Sequence, residues 1–242
     1  MKPLQEKICL IVPCYNETQR LDIEKFKQAD ASISFIFVND GSTDATLDLL
    51  KQHENNRIRV HSLEKNSGKA EAVRQGMLLA KKLPEFEELA WIGYWDADLS
   101  TSLDELPGFL EFQKIFAPQA KAIFGSRIDR LGSNISRSFT RHIIGRILAT
   151  FFWATLKTKT YDSQCGAKLF KKELTDIAFS SPFITKWLFD VEITLLLDRA
   201  NAPLVEYPLK AWLDAGGSKV FSLKAIREVF LDIFRLHRKY KQ

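Results

Sequence analysis

The residues best placed to do chemistry are Asp96 and Asp98, in "YWDADLST" (94–101), at the end of the apolar run "ELAWIG". In extended chain, residues i and i+2 point to one face, so both carboxylates are presented together with Ala97 turned away. Two like charges at the end of a buried strand repel, and one is pushed toward protonation. A divalent cation removes that conflict. Carboxylate oxygens suit Mg²⁺ or Mn²⁺, and a site with one or two carboxylates completes its shell with water and substrate phosphates. The pair therefore points to a metal–diphosphate site, against the plainer alternative of an acidic turn facing solvent.

The elements that must position this pair are short apolar runs alternating with amphipathic ones. Strands are expected at 8–15, 32–39, 58–63, 89–95 and 122–126, with helices at Ala45–His53 and Ala70–Leu83 between them. In the second helix Val73, Met77 and Ala80 share one stripe. Such alternation, with continuously apolar strands, predicts an α/β fold whose mostly parallel sheet is flanked by helices on both faces. Open parallel sheets bind ligands outside the carboxyl ends of their strands. Three strand ends deliver polar groups there: Asn16 and Glu17, Asp40 and Asp44, then Asp96 and Asp98. Beyond residue 130 the pattern turns mainly helical, with further strands expected at Ala167–Phe170 and Leu204–Pro208.

The 242 residues carry a net charge of +5, with a hydrophobic share of 45% and a charged share of 27%, ordinary for a soluble globule. Three scattered cysteines and four histidines suggest reduced thiols and no zinc site. No run is long and apolar enough to predict a spanning helix, and "MKPLQEK" does not read as a signal peptide. From Ser222 to Gln242 six Lys/Arg face two Asp/Glu, a basic tail. No nucleic-acid partner is expected from that tail alone. A nucleotide-dependent dehydrogenase or nucleotidyltransferase is disfavoured, because "VPCYNET" lacks the glycines that admit a pyrophosphate to a helix N-terminus, and no P-loop is present.

"VPCYNE" (12–17), "VNDGSTD" (38–44), "NSGKAEAV" (66–73) and "DADLS" (96–100) resemble, in that order, the nucleotide-sugar domain of glycosyltransferase family 2. "FGSR" (124–127), "DSQCGAKLF" (162–170), "WLFDVEI" (187–193) and "GGSKV" (216–220) resemble its polyprenyl-phosphate sugar transferases, the enzymes that glucosylate dolichyl phosphate more than those that mannosylate it. The resemblance implies a Rossmann-like GT-A fold with a helical acceptor-side extension. It implies an inverting hexosyl transfer from a nucleotide-sugar, UDP-glucose before GDP-mannose, to a polyprenyl or dolichyl phosphate. The catalytic unit would span 1–220, with a nucleotide-sugar half at 1–128 and an acceptor half at 129–220, followed by a basic amphipathic helix at 221–242. Pro13, Tyr15, Glu17, Asp40, Lys69 and Asp96 would bind the nucleotide-sugar. Asp96 and Asp98 would hold the metal. Arg127, Arg141, Asp162, Gln164 and Lys219 would serve the acceptor and phosphates, and Asp98, Arg127 and Asp190 would be catalytic. Ser100 stands where the mannosyl enzymes often carry Gln. Other acceptors, such as a saccharide, or a non-catalytic sugar-nucleotide binding role remain as alternatives.

The acceptor decides whether a base is needed. A phosphate monoester, with a second pKa of about 6, arrives largely dianionic. Cations are then expected where a sugar-acceptor enzyme shows a base, and Arg127, Arg137, Arg141 and Arg146 supply them. Asp190 and Glu192 lie about 200° apart on a helix and cannot both face one cleft. Asp190 also fits as the N-cap of a helix at Val191–Ala200, and Cys165 fits as a packing residue. Two amphipathic stretches suggest a peripheral membrane contact on the cytoplasmic, inner face. One is Ser133–Lys157, with Phe139, Ile143, Ile147 and Phe151. The other is Ser222–Lys241, with Leu223, Ile226, Phe230, Ile233 and His237. The commoner fate of such stripes is packing on the sheet or on a second copy in a homo-oligomer.

Overall fold

In a computed structural model of the chain, residues 4–136, 150–213 and 223–240 are described. Seven strands form one sheet in the order β3-β2-β1-β4-β7-β5-β8. They are β1 (Ile8–Cys14), β2 (Ile33–Asn39), β3 (Ile58–Ser62), β4 (Trp91–Trp95), β5 (Ala122–Ser126), β7 (Ala167–Phe170) and β8 (Leu204–Pro208). Every expected strand is present, within two residues at each end. All pairings are parallel except those of β7, which runs antiparallel between β4 and β5. The sheet thus takes strands from both halves of the chain.

The sheet is covered on both faces, as continuous apolar strands require. On one face α3 (Lys69–Lys81), α6 (Leu174–Phe179) and α7 (Phe189–Arg199) pack on Ile11, Val38, Ile92, Tyr94, Phe124 and Phe170. Val73, Met77 and Ala80 form the buried stripe of α3. The other face meets α1 (Ile23–Lys27), α2 (Thr46–Gln52) and α4 (Leu106–Phe116) around Trp91, Trp95 and Phe109. α2 and α3 follow parallel strands and begin at the rim where those strands end, and α7, which leads back to the start of the parallel strand β8, begins there too, so their N-termini gather beside the polar loops.

The stretch expected as a helix from Ser133 differs. Asn134–Ser136 is a strand, β6, paired in parallel with β9 (Ala211–Leu213) in a second small sheet. Within that stretch the described helix is 150–156 (α5). Phe139, Ile143 and Ile147 lie outside the described residues, as do Arg137, Arg141, Arg146 and Lys219. The tail forms α8 (Leu223–Tyr240). Its Val229, Ile233 and Leu236 pack with Phe152 and Leu156 of α5 and Leu188, Val191 and Leu195 around α7, and His237 contacts the Thr155 carbonyl. Ile233 and His237, expected on a membrane-facing stripe, therefore face protein. The outward apolar residues here are Leu231, Phe234, Phe151 and Trp153.

Candidate active site

The loops after β1 and β2 are tied into one rim. Asn16 adopts a left-handed conformation (φ 54°). Its side-chain oxygen accepts from the Thr43 amide at 2.8 Å, and its own amide donates to the Ser42 hydroxyl at 3.0 Å. The Glu17 amide donates to the Thr46 hydroxyl at 2.8 Å. Glu17 pairs with Arg20 through Oε1 at 2.6 Å, while Oε2 is buried without a partner. Burial raises the Glu17 pKa; Arg20 opposes this, and the charges of Asp98 and Asp96 add to it. Pro13 is partly buried in β1, and Tyr15 stands exposed on the rim.

Asp40 is buried, and both its oxygens are engaged. They accept from the Ser67 and Gly68 amides at 2.7 and 2.8 Å. Burial raises its pKa against the pull of those two bonds. The carboxylate expected on a base or ribose thus anchors the "NSGK" loop and sets where α3 begins. Lys69 is the first residue of that helix.

Asp96 and Asp98 are not held in extended chain, contrary to the expectation. β4 ends at Trp95. A turn follows, closed by the Leu99 amide donating to the Asp96 carbonyl at 3.2 Å, with Leu99 left-handed at φ 50°. The Asp98 carboxylate accepts from the Ser100 amide at 2.9 Å. Asp96 continues the antiparallel pairing, its amide donating to the Gly166 carbonyl at 3.1 Å, and its carboxylate lies over Gly166. A Cβ at position 166 would overlap both Asp96 carboxylate oxygens. Gly166→Ala is therefore expected to displace Asp96. Mn²⁺-dependent binding of a uridine diphosphate, followed by calorimetry, should weaken about tenfold or more, since a tenth of the affinity is only about 1.4 kcal/mol. An unchanged affinity would show that the Asp96 position does not matter.

Lys69 reaches Asp96, Nζ to Oδ1 at 2.5 Å. Burial lowers the Lys69 pKa, but Asp96, Asp190 and Asp98 outweigh it and hold the ammonium charged. The candidate donors for a cation are the hard oxygens of Asp96 and Asp98, whose charges also act on Glu17. Among the described residues no three His, Cys, Asp or Glu side chains form a cage for a metal. Two carboxylates that leave most of a six-coordinate shell to water and phosphates fit Mg²⁺ or Mn²⁺.

Beneath this rim lies a buried cluster that the sequence reading missed. Tyr94 on β4 and Lys168 on β7 are opposite one another in the antiparallel register, so their side chains share a face. Lys168 is fully buried. Its Nζ donates to Asp190 Oδ1 at 2.6 Å and to the Cys165 carbonyl at 2.5 Å, and it lies 5.2 and 5.0 Å from the ring centres of Tyr94 and Phe124. The Tyr94 hydroxyl donates to the same Asp190 oxygen. Asp190 is in the first turn of α7, not at its N-cap, which is Leu188. Glu192 points elsewhere, accepting from the Ile184 amide at 3.0 Å and the Tyr240 hydroxyl at 2.9 Å. The one available signal was a lysine inside the apolar run "AKLF". Cys165 is buried, and burial raises its thiol to about 11, as a packing residue requires.

Arg127, just after β5 and close enough for the charge of Asp96 to act on it, forms a two-pronged pair with Asp162. Nε reaches Oδ2 at 2.6 Å, and an Nη reaches Oδ1 at 2.7 Å. Burial alone would raise the Asp162 carboxyl, but the Arg127 charge and hydrogen bonds bring it down to about 2. Trp212 of β9 lies against the guanidinium, 5.3 Å from ring centre to Cζ. Glu206 on β8 accepts from the Tyr161 and Asp162 amides at 2.7 and 2.8 Å and so holds the loop that presents Asp162. Gln164 is exposed, and its amide donates to the Trp187 carbonyl at 3.4 Å. The structure thus gathers Glu17, Lys69 and Asp190 with Asp96 and Asp98, and brings Arg127, paired with Asp162, within reach of the Asp96 charge.

A family model described as Glycosyl transferase family 2 matches residues 9–177. The dolichyl-phosphate beta-glucosyltransferase of Dictyostelium discoideum is 30% identical over 96% of this chain and 74% of its own length. The Drosophila melanogaster enzyme of that name is 29% identical over 97% and 75%. Among solved structures, mannosyl-3-phosphoglycerate synthase from Rubrobacter xylanophilus superposes with a TM-score of 0.68 at 15% identity, covering 98% of this chain and 75% of that one. Glucosyl-3-phosphoglycerate synthase from Mycobacterium tuberculosis, in complex with Mn2+, uridine-diphosphate and glucosyl-3-phosphoglycerate, gives 0.66 at 16%, covering 98% and 80%. These likenesses bear out the expected GT-A fold, with its mostly parallel sheet and flanking helices. With the family match spanning most of the sheet and the Asp96–Asp98 rim, the chain belongs to glycosyl transferase family 2.

Proposed function

We propose that the chain transfers a hexose, with inversion, from a nucleotide-sugar to a polyprenyl or dolichyl phosphate, with UDP-glucose as the favoured donor and GDP-mannose next. The observation that carries this reading is the state of Asp190. The carboxylate best placed to serve as a base is bound by a buried ammonium and a tyrosine hydroxyl. An acceptor that arrives deprotonated needs no base, and a phosphate monoester is such an acceptor. Relatives named dolichyl-phosphate beta-glucosyltransferase, matched over nearly the whole chain, support the same acceptor.

In this reading Tyr15, Pro13 and Glu17 line the nucleoside side, and Asp40 acts through the "NSGK" loop that it holds. Asp96 and Asp98 hold Mg²⁺ or Mn²⁺, which when bound neutralises charge on the leaving diphosphate. Lys69 adds a positive charge beside the same diphosphate. Arg127, oriented by Asp162, faces the acceptor phosphate with Gln164 nearby; the family resemblance assigns the same phosphates to Arg141 and Lys219, which lie outside the described residues. Preorganised charges of this kind stabilise a transition state without reorienting during the reaction.

The acceptor end is placed at the inner membrane surface as a peripheral contact. No helix among the described residues is long and apolar enough to cross a membrane. Trp153, Trp187 and Phe234 are more than half exposed on the helical side, beside the basic tail. The deciding experiment supplies UDP-glucose, UDP-N-acetylglucosamine or GDP-mannose with Mn²⁺ to a short polyprenyl phosphate, the free polyprenol or a simple saccharide. Transfer from UDP-glucose to the phosphate alone, abolished by EDTA, is the expected result. Transfer to the saccharide or the free alcohol instead would overturn the acceptor assignment.

A further inference from the structure

Charges alternate along a line from the rim into the core. Asp98 and Asp96 lie outermost. Lys69 follows, 2.5 Å from Asp96. Asp190 is next, its charge acting on Lys69. Lys168 ends the line, 2.6 Å from Asp190 and fully buried. Two helices on this face each contribute one member from the first turn, Lys69 from α3 and Asp190 from α7. Lys168 also holds the Cys165 carbonyl at 2.5 Å, next to the glycine on which the Asp96 carboxylate lies.

We propose that Lys69 is an internal counter-ion for the metal site: it holds Asp96 in place, competes with the divalent cation for that carboxylate, and then turns to the diphosphate while Asp190 keeps it in the cleft. The inference rests on the glycosyltransferase reading above and extends it. Three features support it. Lys69 is bound to one oxygen of the carboxylate that a metal would need, and that carboxylate lies directly over Gly166. Its side chain is 38% exposed and long enough to move. Asp190 provides a second carboxylate that does not move, since Lys168 and Tyr94 hold it from the other side. Removing the ammonium should therefore have opposite effects on the two ligands. A residue that only binds the donor, or only stabilises the fold, would not produce that reversal.

The test uses the whole protein and two titrations. Free Mn²⁺ binding is followed by electron paramagnetic resonance without nucleotide, and UDP binding is followed by calorimetry at saturating Mn²⁺. Lys69→Met is expected to bind Mn²⁺ alone about tenfold more tightly than wild type and UDP about tenfold more weakly, each factor being about 1.4 kcal/mol. Lys69→Arg, which keeps the charge, is expected to retain the wild-type Mn²⁺ affinity, and it answers the question if the methionine variant melts early. A Lys69→Met protein whose Mn²⁺ affinity is unchanged or weaker overturns the counter-ion role. So does a Lys69→Arg protein that binds Mn²⁺ as tightly as the methionine variant is expected to. If wild type itself shows no UDP binding by calorimetry, with Mn²⁺ or with EDTA, the donor-site reading fails, and that wild-type calorimetric titration tells the two failures apart.

Discussion

Asp98→Ala is expected to fold normally and to lose hexosyl transfer by at least about 10²–10³-fold, the usual cost of removing one electrostatic contact to a transition state. The fold should survive because Asp98 is only partly buried, and its recorded bond is to the Ser100 amide of its own turn. Losing one such bond costs about 1 kcal/mol. The functional loss has a different origin. Asp98 and Asp96 are the outer carboxylates of the cleft, and their charge reaches both Glu17 and Lys69. With Asp98 gone, a divalent cation keeps one carboxylate, and that one is shared with Lys69. The variant should therefore fail to bind UDP-glucose in a Mn²⁺-dependent way by calorimetry, while its melting temperature stays close to wild type. Transfer at near the wild-type rate would remove Asp98 from the metal site.

The sheet was legible because its strands are buried on both faces. Runs such as "ICLIVPC" and "ISFIFVN" carry no polar residue facing solvent, and only a two-sided core explains that. The rim was legible for a related reason: the ends of β1, β2 and β4 change abruptly from apolar to acidic residues. The antiparallel placement of β7 was not readable, since "AKLF" has the same apolar character whichever way it runs. Neither was the small β6–β9 sheet, whose three-residue strands carry no periodic signal.

Within the site, residue types were easier to foresee than their partners. Asp96, Asp98, Glu17 and Lys69 do gather at one rim. Asp40 was expected to face a ligand, yet both its oxygens hold the backbone of residues 67 and 68. Arg127 and Asp162 are 35 residues apart in sequence, and their pairing follows from loops that meet only once β5 and β8 are side by side. Asp190 was read as an N-cap because its neighbours look helical. The helix begins two residues earlier, which places it at the second helical position, facing Lys168. Long-range partners of this kind depend on register, and a single sequence carries register only weakly.

Lys168→Met is expected to be the most damaging single change to stability. The ammonium is fully buried, and its removal leaves Asp190, itself almost fully buried, without its cation. Breaking one side of a buried pair typically costs about 3–5 kcal/mol, because the remaining charge is unpaired. For a chain of this size each kcal/mol shifts the melting temperature by about 2–4 °C, so a fall of roughly 6–20 °C should appear in a thermal scan. Adding Asp190→Asn removes the stranded charge and should restore part of that loss, because a pair can often be replaced by neutral groups where one half of it cannot. Recovery should be incomplete, since the Cys165 carbonyl still lacks its donor. A Lys168→Met protein that melts with wild type would mean that Lys168 contributes little to holding Asp190. The argument that Asp190 is too tightly engaged to serve as a base, and with it the strongest argument for a phosphate acceptor, would then fall.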